Sequence, residues 1–94
     1  MNTAQESRKF RVIGVVQGVG FRFWTLRQAH RMGLGGYVRN AADGSVEVCA
    51  RGPADRLQEF QAMLHRGPPG SRVASVEAVE LASDSLPDPF EIRR

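Results

Sequence analysis

The order in which the hydrophobic periodicity changes along this chain restricts its fold more than any other feature of the sequence. Apolar residues first alternate with a period of two, as in a half-buried strand, and then recur with the helical period of 3.6. The same change occurs a second time after two further strand patterns. The strand patterns cover about 8–16, 36–40, 45–51 and 73–81, the helical patterns begin near 21 and 53, and 90–93 is a short last strand.

This order predicts an α+β fold with the ferredoxin-like arrangement, a βαββαβ sandwich in which two helices cover one face of an antiparallel sheet. Right-handed crossovers place the third strand between the first two, which then run parallel. The carboxyl ends of those two strands emerge at one edge of the sheet, roughly 10 Å apart. The 94 residues suit one domain, predicted over 8–94, and the polar residues 1–7 are predicted to form a flexible tail.

Glycine and proline predict where several elements end. Gly33 followed by Leu34 is typical of a Schellman ending of the first helix. Asp43-Gly44 is a strong hairpin signal between the second and third strands. Pro53 is expected at or near the first position of the second helix. Imperfect alternation in the fourth strand indicates a bulge there.

The loop between the first strand and the first helix is the first candidate site. The run Gln17-Gly18-Val19-Gly20 places two glycines directly before a helix start, where unpaired N–H groups and the helix dipole favour anions. Arg22 adds a guanidinium at the same place. The run lacks the Gly-Lys-Ser/Thr ending of a Walker loop, and it is not a dinucleotide fingerprint. Taken alone, the loop fits a solvated strand-to-helix turn about as well as it fits an anion site.

A second segment, Gly36-Tyr37-Val38-Arg39-Asn40, decides between these two interpretations. The run from Gly14 to Arg22 reads glycine, any residue, valine, glutamine, glycine, valine, any residue, aromatic, arginine. Together with the spaced glycines as far as Gly52, these two segments resemble the signatures of the acylphosphatase family. The resemblance extends over about 8–94. One departure is the last residue, Arg94, where the family often has an aromatic residue.

The resemblance implies an enzyme that hydrolyses acyl phosphates to a carboxylate and inorganic phosphate by attack of water on phosphorus. It assigns catalysis to Arg22 and Asn40, with Asn40 orienting the water. The residues assigned to phosphate binding are Gln17, Gly18, Val19, Gly20, Phe21 and Arg22. The leaving carboxylate has a pKa of about 4 and departs without protonation, so that no general acid is needed. No metal and no cofactor are expected.

Other chemically capable residues have simpler interpretations. His30 and His65 lack a second metal ligand at suitable spacing and are expected at the surface. Cys49 has no thiol partner and no close histidine, which favours a packing or sheet-surface thiol. Phe23 and Trp24 flank the candidate arginine and are expected to be buried, with one of them a candidate for the edge of an acyl pocket. Arg39 is expected to be an exposed cation, and Asp43 a turn residue.

Charge and composition limit the partners. A net charge of +3 favours anionic partners, from nucleic acid to a single phosphate. An RNA-recognition module has the same order of elements, but it stacks bases on aromatics of its first and third strands. The third strand here has no aromatic residue and the first has only Phe10. A small-molecule acyl phosphate, with no nucleic acid, is therefore the expected partner. A regulatory anion-binding module and an accessory domain of a carbamoyl-phosphate-using protein remain alternatives.

The cellular setting follows from what the sequence contains. There is one cysteine, no apolar run near Met1 and no stretch of about 20 apolar residues. A cytoplasmic protein without membrane contact is predicted, and a monomer is the default expectation.

Overall fold

The computed structural model describes residues 4–82 and 85–94. Its elements are β1 (Gln5–Val15), α1 (Phe21–Arg31), β2 (Gly35–Asn40), β3 (Val46–Pro53), α2 (Ala54–Arg66), β4 (Arg72–Leu81) and β5 (Glu91–Arg93). The five strands form one sheet in the order β4-β1-β3-β2-β5. β5 pairs parallel with β2, and the other neighbouring strands are antiparallel. The ferredoxin-like α+β fold is confirmed, with a sheet that is mixed because of β5.

The hydrophobic core lies between the two helices and one face of this sheet. Alternation along β1 buries Phe10 and Val12, and α2 buries Leu57, Phe60 and Leu64 with helical spacing. The ring of Phe60 meets that of Phe10 edge to face, with centroids 6.1 Å apart. Residues of both helices contribute to one core. The candidate site lies at the sheet edge where the carboxyl ends of β1 and β2 emerge.

The first strand begins three residues earlier than the sequence predicts. Residues 5–7 pair with residues 51–53 of β3 and belong to the sheet, not to the predicted tail. Strand pairing depends on backbone hydrogen bonds, which polar residues make as well as apolar ones, and Ser7 is buried. Residues 1–3 and two residues of the predicted loop, 83 and 84, lie outside the described residues. The assignment of 8–94 to a single domain stays a prediction.

The ending of α1 has the predicted Schellman geometry. The N–H of Leu34 donates to the carbonyl of Ala29 at 2.9 Å, and the N–H of Gly33 donates to the carbonyl of His30 at 3.2 Å. Gly33 has a φ of 68°, as this motif requires. The start of α2 agrees with the prediction, since Pro53 is the N-cap, directly before the first helical residue, and it also ends β3. Its ψ of 146° is still extended.

The predicted bulge in β4 is confirmed. The pairing of β1 with β4 passes from Ile13–Ser75 to Gly14–Val73, so that Ala74 is the extra residue. Gly14 has a φ of 141° there, and any side chain at this position would collide with the carbonyl of the facing strand. The bulge lies directly before the point where the chain leaves the sheet for the glycine loop.

The face of the sheet opposite the helices carries a polar network around Glu47. This carboxylate accepts hydrogen bonds from the Tyr37 hydroxyl at 3.0 Å and from Arg39 Nε at 2.6 Å, and it pairs with Lys9 Nζ at 3.1 Å. Phe10 faces the core instead, so that β1 offers no aromatic for base stacking on this face. Among the described residues, no helix is both long and apolar enough to cross a bilayer.

Candidate active site

Two glycines set the backbone of the loop between β1 and α1. Gly18 and Gly20 have φ values of 78° and 76°, whereas Val19 between them has a negative φ. Alternation of this kind lets successive N–H groups converge on one concavity, as in anion-binding nests. A Cβ added at either glycine meets nothing within 4 Å. Glycine is therefore required here by the backbone angle and not by lack of space.

The start of α1 carries backbone donors without a side-chain cap. Its N-cap is Gly20, no described side chain caps it, and its first turn contains no acidic residue. The first helical hydrogen bond runs from the N–H of Trp24 to the carbonyl of Gly20, at 3.0 Å. The N–H groups of Phe21, Arg22 and Phe23 consequently have no partner within the helix, and the positive end of the helix dipole lies beside them. This end of the helix is suited to an anion.

One pocket of about 220 Å³ joins this helix start to the end of β2. Arg22, from the first turn of α1, and Asn40, the last residue of β2, both line it. The lining residues are Val16, Gly18, Gly20, Phe21, Arg22, Phe23, Asn40 and Ile92. The parallel course of β1 and β2 produces this meeting, because both strands end at the same edge of the sheet.

The side chains of Arg22 and Asn40 have no polar partner in the part of the chain that the structure describes. Within 4–82 and 85–94, neither makes a side-chain hydrogen bond or an ion pair. In contrast, Arg8, Arg39 and Arg93 each pair with a carboxylate. The charge of Arg22 is thus uncompensated by the described residues, and the amide of Asn40 is free to bind a ligand or a water molecule.

Gln17 and Val19 are not among the residues that line the pocket. The Gln17 side chain turns to the connection between β2 and β3, where its Nε2 donates to the carbonyls of Ala41 and Ser45 at 2.8 and 2.9 Å. It therefore ties the glycine loop to the hairpin that carries Asn40. Val19 packs, partly buried, against the core. The phosphate-binding role assigned to these two residues rests on their backbone amides and stays a prediction.

The hairpin that follows Asn40 is held by Asp43. Its Oδ1 accepts hydrogen bonds from Ser45 N at 3.0 Å and from Ser45 Oγ at 2.6 Å, and its Oδ2 accepts from Arg11. The hydrogen bonds from Ser45, reinforced by the charge of Arg11, lower the pKa of the Asp43 carboxyl. Asp43 is therefore the turn residue that the sequence predicts, and it stabilises the position of Asn40.

The prediction that Phe23 is buried is wrong. Phe21, Thr25 and Ala29 form the buried stripe of α1, and two helical steps from Phe21 turn Phe23 about 200° away from it. Phe23 is 61% exposed at the pocket. Trp24 is half-buried, and its ring meets that of Phe21 edge to face, 5.5 Å between centroids.

Ile92 lines the pocket but is not among the site residues that the sequence predicts. The residue lies more than 50 positions along the chain from the other lining residues, within a strand of only three residues. Its place at the pocket depends on the parallel pairing of β5 with β2, which aligns Ile92 with Val38. The sequence predicts a short strand over 90–93 but not the strand with which it pairs, so that no local signal places the residue at the pocket.

The remaining chemically capable residues do not form a second site. His30 is exposed, and its Nε2 lies 2.9 Å from the Phe90 carbonyl oxygen. Cys49 is buried, and burial raises the pKa of its thiol. His65 is exposed. In the described part of the chain, no three His, Cys, Asp or Glu residues are grouped so as to hold a metal ion.

Comparison with known proteins identifies the family to which this sequence and fold belong. The family model described as Acylphosphatase matches residues 8–92. The chain belongs to the acylphosphatase family. An acylphosphatase of Rhizorhabdus wittichii is 56% identical over 71 residues, which cover 76% of this chain and 72% of that protein. An acylphosphatase of Alkalilimnicola ehrlichii is 47% identical, with 93% of this chain and 97% of that protein covered.

A solved structure supports the same conclusion for the fold. The crystal structure of acylphosphatase from Bacillus subtilis has a TM-score of 0.90 at 36% identity, and the match covers 95% of this chain and 99% of that chain. The acylphosphatase resemblance predicted from the two sequence motifs is thereby confirmed. The roles of the individual residues at the pocket are taken up as proposals below.

Proposed function

We propose that this acylphosphatase hydrolyses acyl phosphates to a carboxylate and inorganic phosphate by attack of water on phosphorus, with no metal ion and no other cofactor. One observation carries the proposal. Among the described residues, nothing caps the start of α1 with a side chain and nothing pairs with the side chains of Arg22 and Asn40, and all three lie at one pocket.

The phosphoryl group binds at the helix start. The N–H groups of the glycine loop and of the first turn of α1 donate to its oxygens, and Arg22 adds charge-assisted hydrogen bonds. No carboxylate of the described residues competes for this guanidinium. Charge that develops on the equatorial oxygens in the transition state is stabilised by groups that are already in position.

Asn40 orients the water. Its amide can accept one hydrogen bond from the water and so direct a lone pair of the water oxygen at phosphorus. The new P–O bond forms as the bond between phosphorus and the acyl oxygen breaks, and the electron pair of that bond leaves with the carboxylate. A proton of the water passes to a phosphate oxygen. Catalysis therefore rests on positioning and on charge stabilisation.

The leaving group accounts for the composition of the site. A carboxylate with a pKa of about 4 needs no protonation to depart. Arg22 is accordingly the one ionisable side chain among the described lining residues. Neither a carboxylate pair nor a histidine is required for this chemistry.

Hydrolysis of benzoyl phosphate in excess EDTA tests the proposal. Full activity is expected after chelation, and loss of activity on chelation would contradict the metal-free scheme. Arg22→Ala is expected to lose turnover by at least about 10²-fold together with inhibition by inorganic phosphate. Arg27→Ala, an exposed arginine on the same helix that does not line the pocket, is the matched control and should retain both.

The same proposal includes a monomeric, cytoplasmic enzyme that binds neither nucleic acid nor membranes. A single buried, unpaired cysteine is typical of a reducing compartment. β1 and β3 present no aromatic side chain for base stacking on the face opposite the helices. Light scattering on the purified protein should give the mass of one chain, and filter binding with single-stranded RNA should show no tight, salt-sensitive complex.

A further inference from the structure

The walls of the pocket differ in what they offer a ligand. Arg22 and Asn40 supply its polar side chains, whereas Phe23 and Ile92 supply apolar surface. Phe23 is 61% exposed and Ile92 is 36% exposed, so that both can contact a bound molecule. The apolar wall borders the place where the phosphoryl group is proposed to bind.

Two different elements, α1 and β5, hold these two side chains in position. Phe23 follows Arg22 in the first turn of α1, on the side turned away from the core. Ile92 is held by the pairing of β5 with Val38 of β2. Phe90, two residues before Ile92, is buried in the core, and its carbonyl oxygen lies 2.9 Å from His30 Nε2 on α1. Two apolar side chains from distant parts of the chain thus line the pocket beside the glycine loop and the first turn of α1, residues 17–23, which together form the proposed anion cradle.

We propose that Phe23 and Ile92 form the subsite for the acyl group and select acyl phosphates whose acyl group is an apolar alkyl or aryl chain. This inference rests on the proposed function. An acyl phosphate bound through its phosphoryl group at the helix start must extend its acyl group out of the cradle, and the exposed apolar wall is at its border. Burial of an alkyl or aryl group there removes apolar surface of both partners from water.

The lining also explains what the subsite disfavours. Apart from Arg22 and Asn40, the described lining residues present no polar side chain. A hydroxyl, amino or second phosphate group on the acyl chain would lose water against this wall without gaining a side-chain partner. Substrates with polar acyl groups are therefore expected to be processed less efficiently than apolar ones.

A series of straight-chain substrates tests the proposal. Acetyl, butanoyl and hexanoyl phosphate have leaving carboxylates of nearly equal pKa, so that differences in kcat/KM report contacts with the chain and not intrinsic reactivity. In the wild-type protein kcat/KM is expected to rise by about twofold for each added CH₂ group, less than full burial would give because the pocket is open. In Phe23→Ala and in Ile92→Ala this rise should become flatter.

Two controls separate a subsite from general damage. The inhibition constant of inorganic phosphate should change less than twofold in both variants. Val79→Ala changes an apolar residue of β4 that is as exposed as Phe23, at 62%, and does not line the pocket; this variant should keep the full dependence on chain length. Thermal melting confirms that each variant is folded.

The possible outcomes distinguish a failure of the proposed acyl subsite from a failure of the proposed hydrolase function. If the wild-type protein hydrolyses none of the three substrates, the proposed function fails. If it hydrolyses them with equal kcat/KM, or if both variants keep the wild-type rise, the function stands and the subsite is wrong. A rise that is lost together with inhibition by phosphate would also overturn the subsite, because the two side chains would then be supporting the cradle.

Discussion

Arg22 and Asn40 line one pocket but are proposed to act on different molecules, the phosphoryl group and the water. Asn40→Ala should therefore lower kcat by at least about 10²-fold while the inhibition constant of inorganic phosphate stays within a fewfold of wild type. The two constants, measured on the same preparation, give the comparison. Near-normal turnover in this variant would show that Asn40 does not orient the water.

The hydrogen bonds of Glu47 lead to a prediction about how the free energy of unfolding depends on pH. Its carboxylate is only 12% exposed, and hydrogen bonds from Arg39, with those from Lys9 and Tyr37, lower its pKa from the ordinary value to about 2. Because the pKa is lower in the folded state, the contribution to the free energy of unfolding is present above about pH 4.5 and is lost as the pH falls towards 2. Glu47→Gln should cost about 2 kcal/mol at pH 7.

Urea unfolding at several pH values measures this contribution. The difference in the free energy of unfolding between wild type and Glu47→Gln should shrink between about pH 4.5 and pH 2, where the wild-type carboxylate becomes protonated. Glu91→Gln, in an exposed pair with Arg93, is the control and should show little difference at any pH. A difference for Glu47→Gln that stays constant over this range would contradict the assigned cause.

At the scale of elements, Gln17 connects the loop that is proposed to bind phosphate to the hairpin that carries Asn40. Gln17→Ala removes two hydrogen bonds, which end on the carbonyls of Ala41 and Ser45, and should lower the free energy of unfolding by about 1–2 kcal/mol. Since the loop and the hairpin would shift relative to each other, kcat/KM should also fall by about tenfold or more at temperatures where the protein is folded.

A control variant at a second glutamine separates the effect of Gln17 on the position of the site from its effect on stability. Gln58→Ala changes an exposed glutamine of α2 that does not line the pocket, and both the stability and kcat/KM should remain near wild type. If Gln17→Ala loses stability but keeps kcat/KM, the side chain stabilises the fold without positioning the site.

The ends of elements could be predicted from the sequence where they depend on residues that are neighbours along the chain. The Schellman ending at Gly33 and Leu34 and the turn at Asp43 arise from backbone angles and short-range hydrogen bonds, which a local pattern records. The contacts of Gln17 span 24 and 28 positions, so that no local pattern records them. The prediction that Phe23 is buried is wrong because aromatic residues favour burial in general, whereas the helical period turns this side chain outward.

At the scale of the whole molecule, the right-handed crossovers between strands determine where the candidate site lies. The order of strands and helices, with right-handed crossovers, sufficed to predict that β1 and β2 end at one edge of the sheet, and that edge holds the pocket. The side of the sheet taken by β5 was not predictable, because β2 and β4 both offer a free edge to a strand of three residues. The apolar wall of the pocket depends on that choice.

The dependence of the pocket on β5 leads to a prediction for the molecule as a whole. Phe90 anchors β5, since it is buried against Phe60 with ring centroids 6.3 Å apart. Phe90→Leu should lower the free energy of unfolding by about 1–2 kcal/mol. Because the strand would be held less firmly, the rise of kcat/KM with acyl chain length should also weaken. Inhibition by inorganic phosphate should persist, since none of the residues proposed to bind phosphate lies in β5.

Phe10→Leu is the matched control for this variant, because Phe10 is equally buried and also meets Phe60 edge to face, but lies in β1. It should lose a similar amount of stability and keep the wild-type dependence on chain length. Urea unfolding and the three straight-chain substrates measure both properties. If the two variants change the dependence equally, it reflects the stability of the whole domain, and β5 has no separate part in forming the acyl wall.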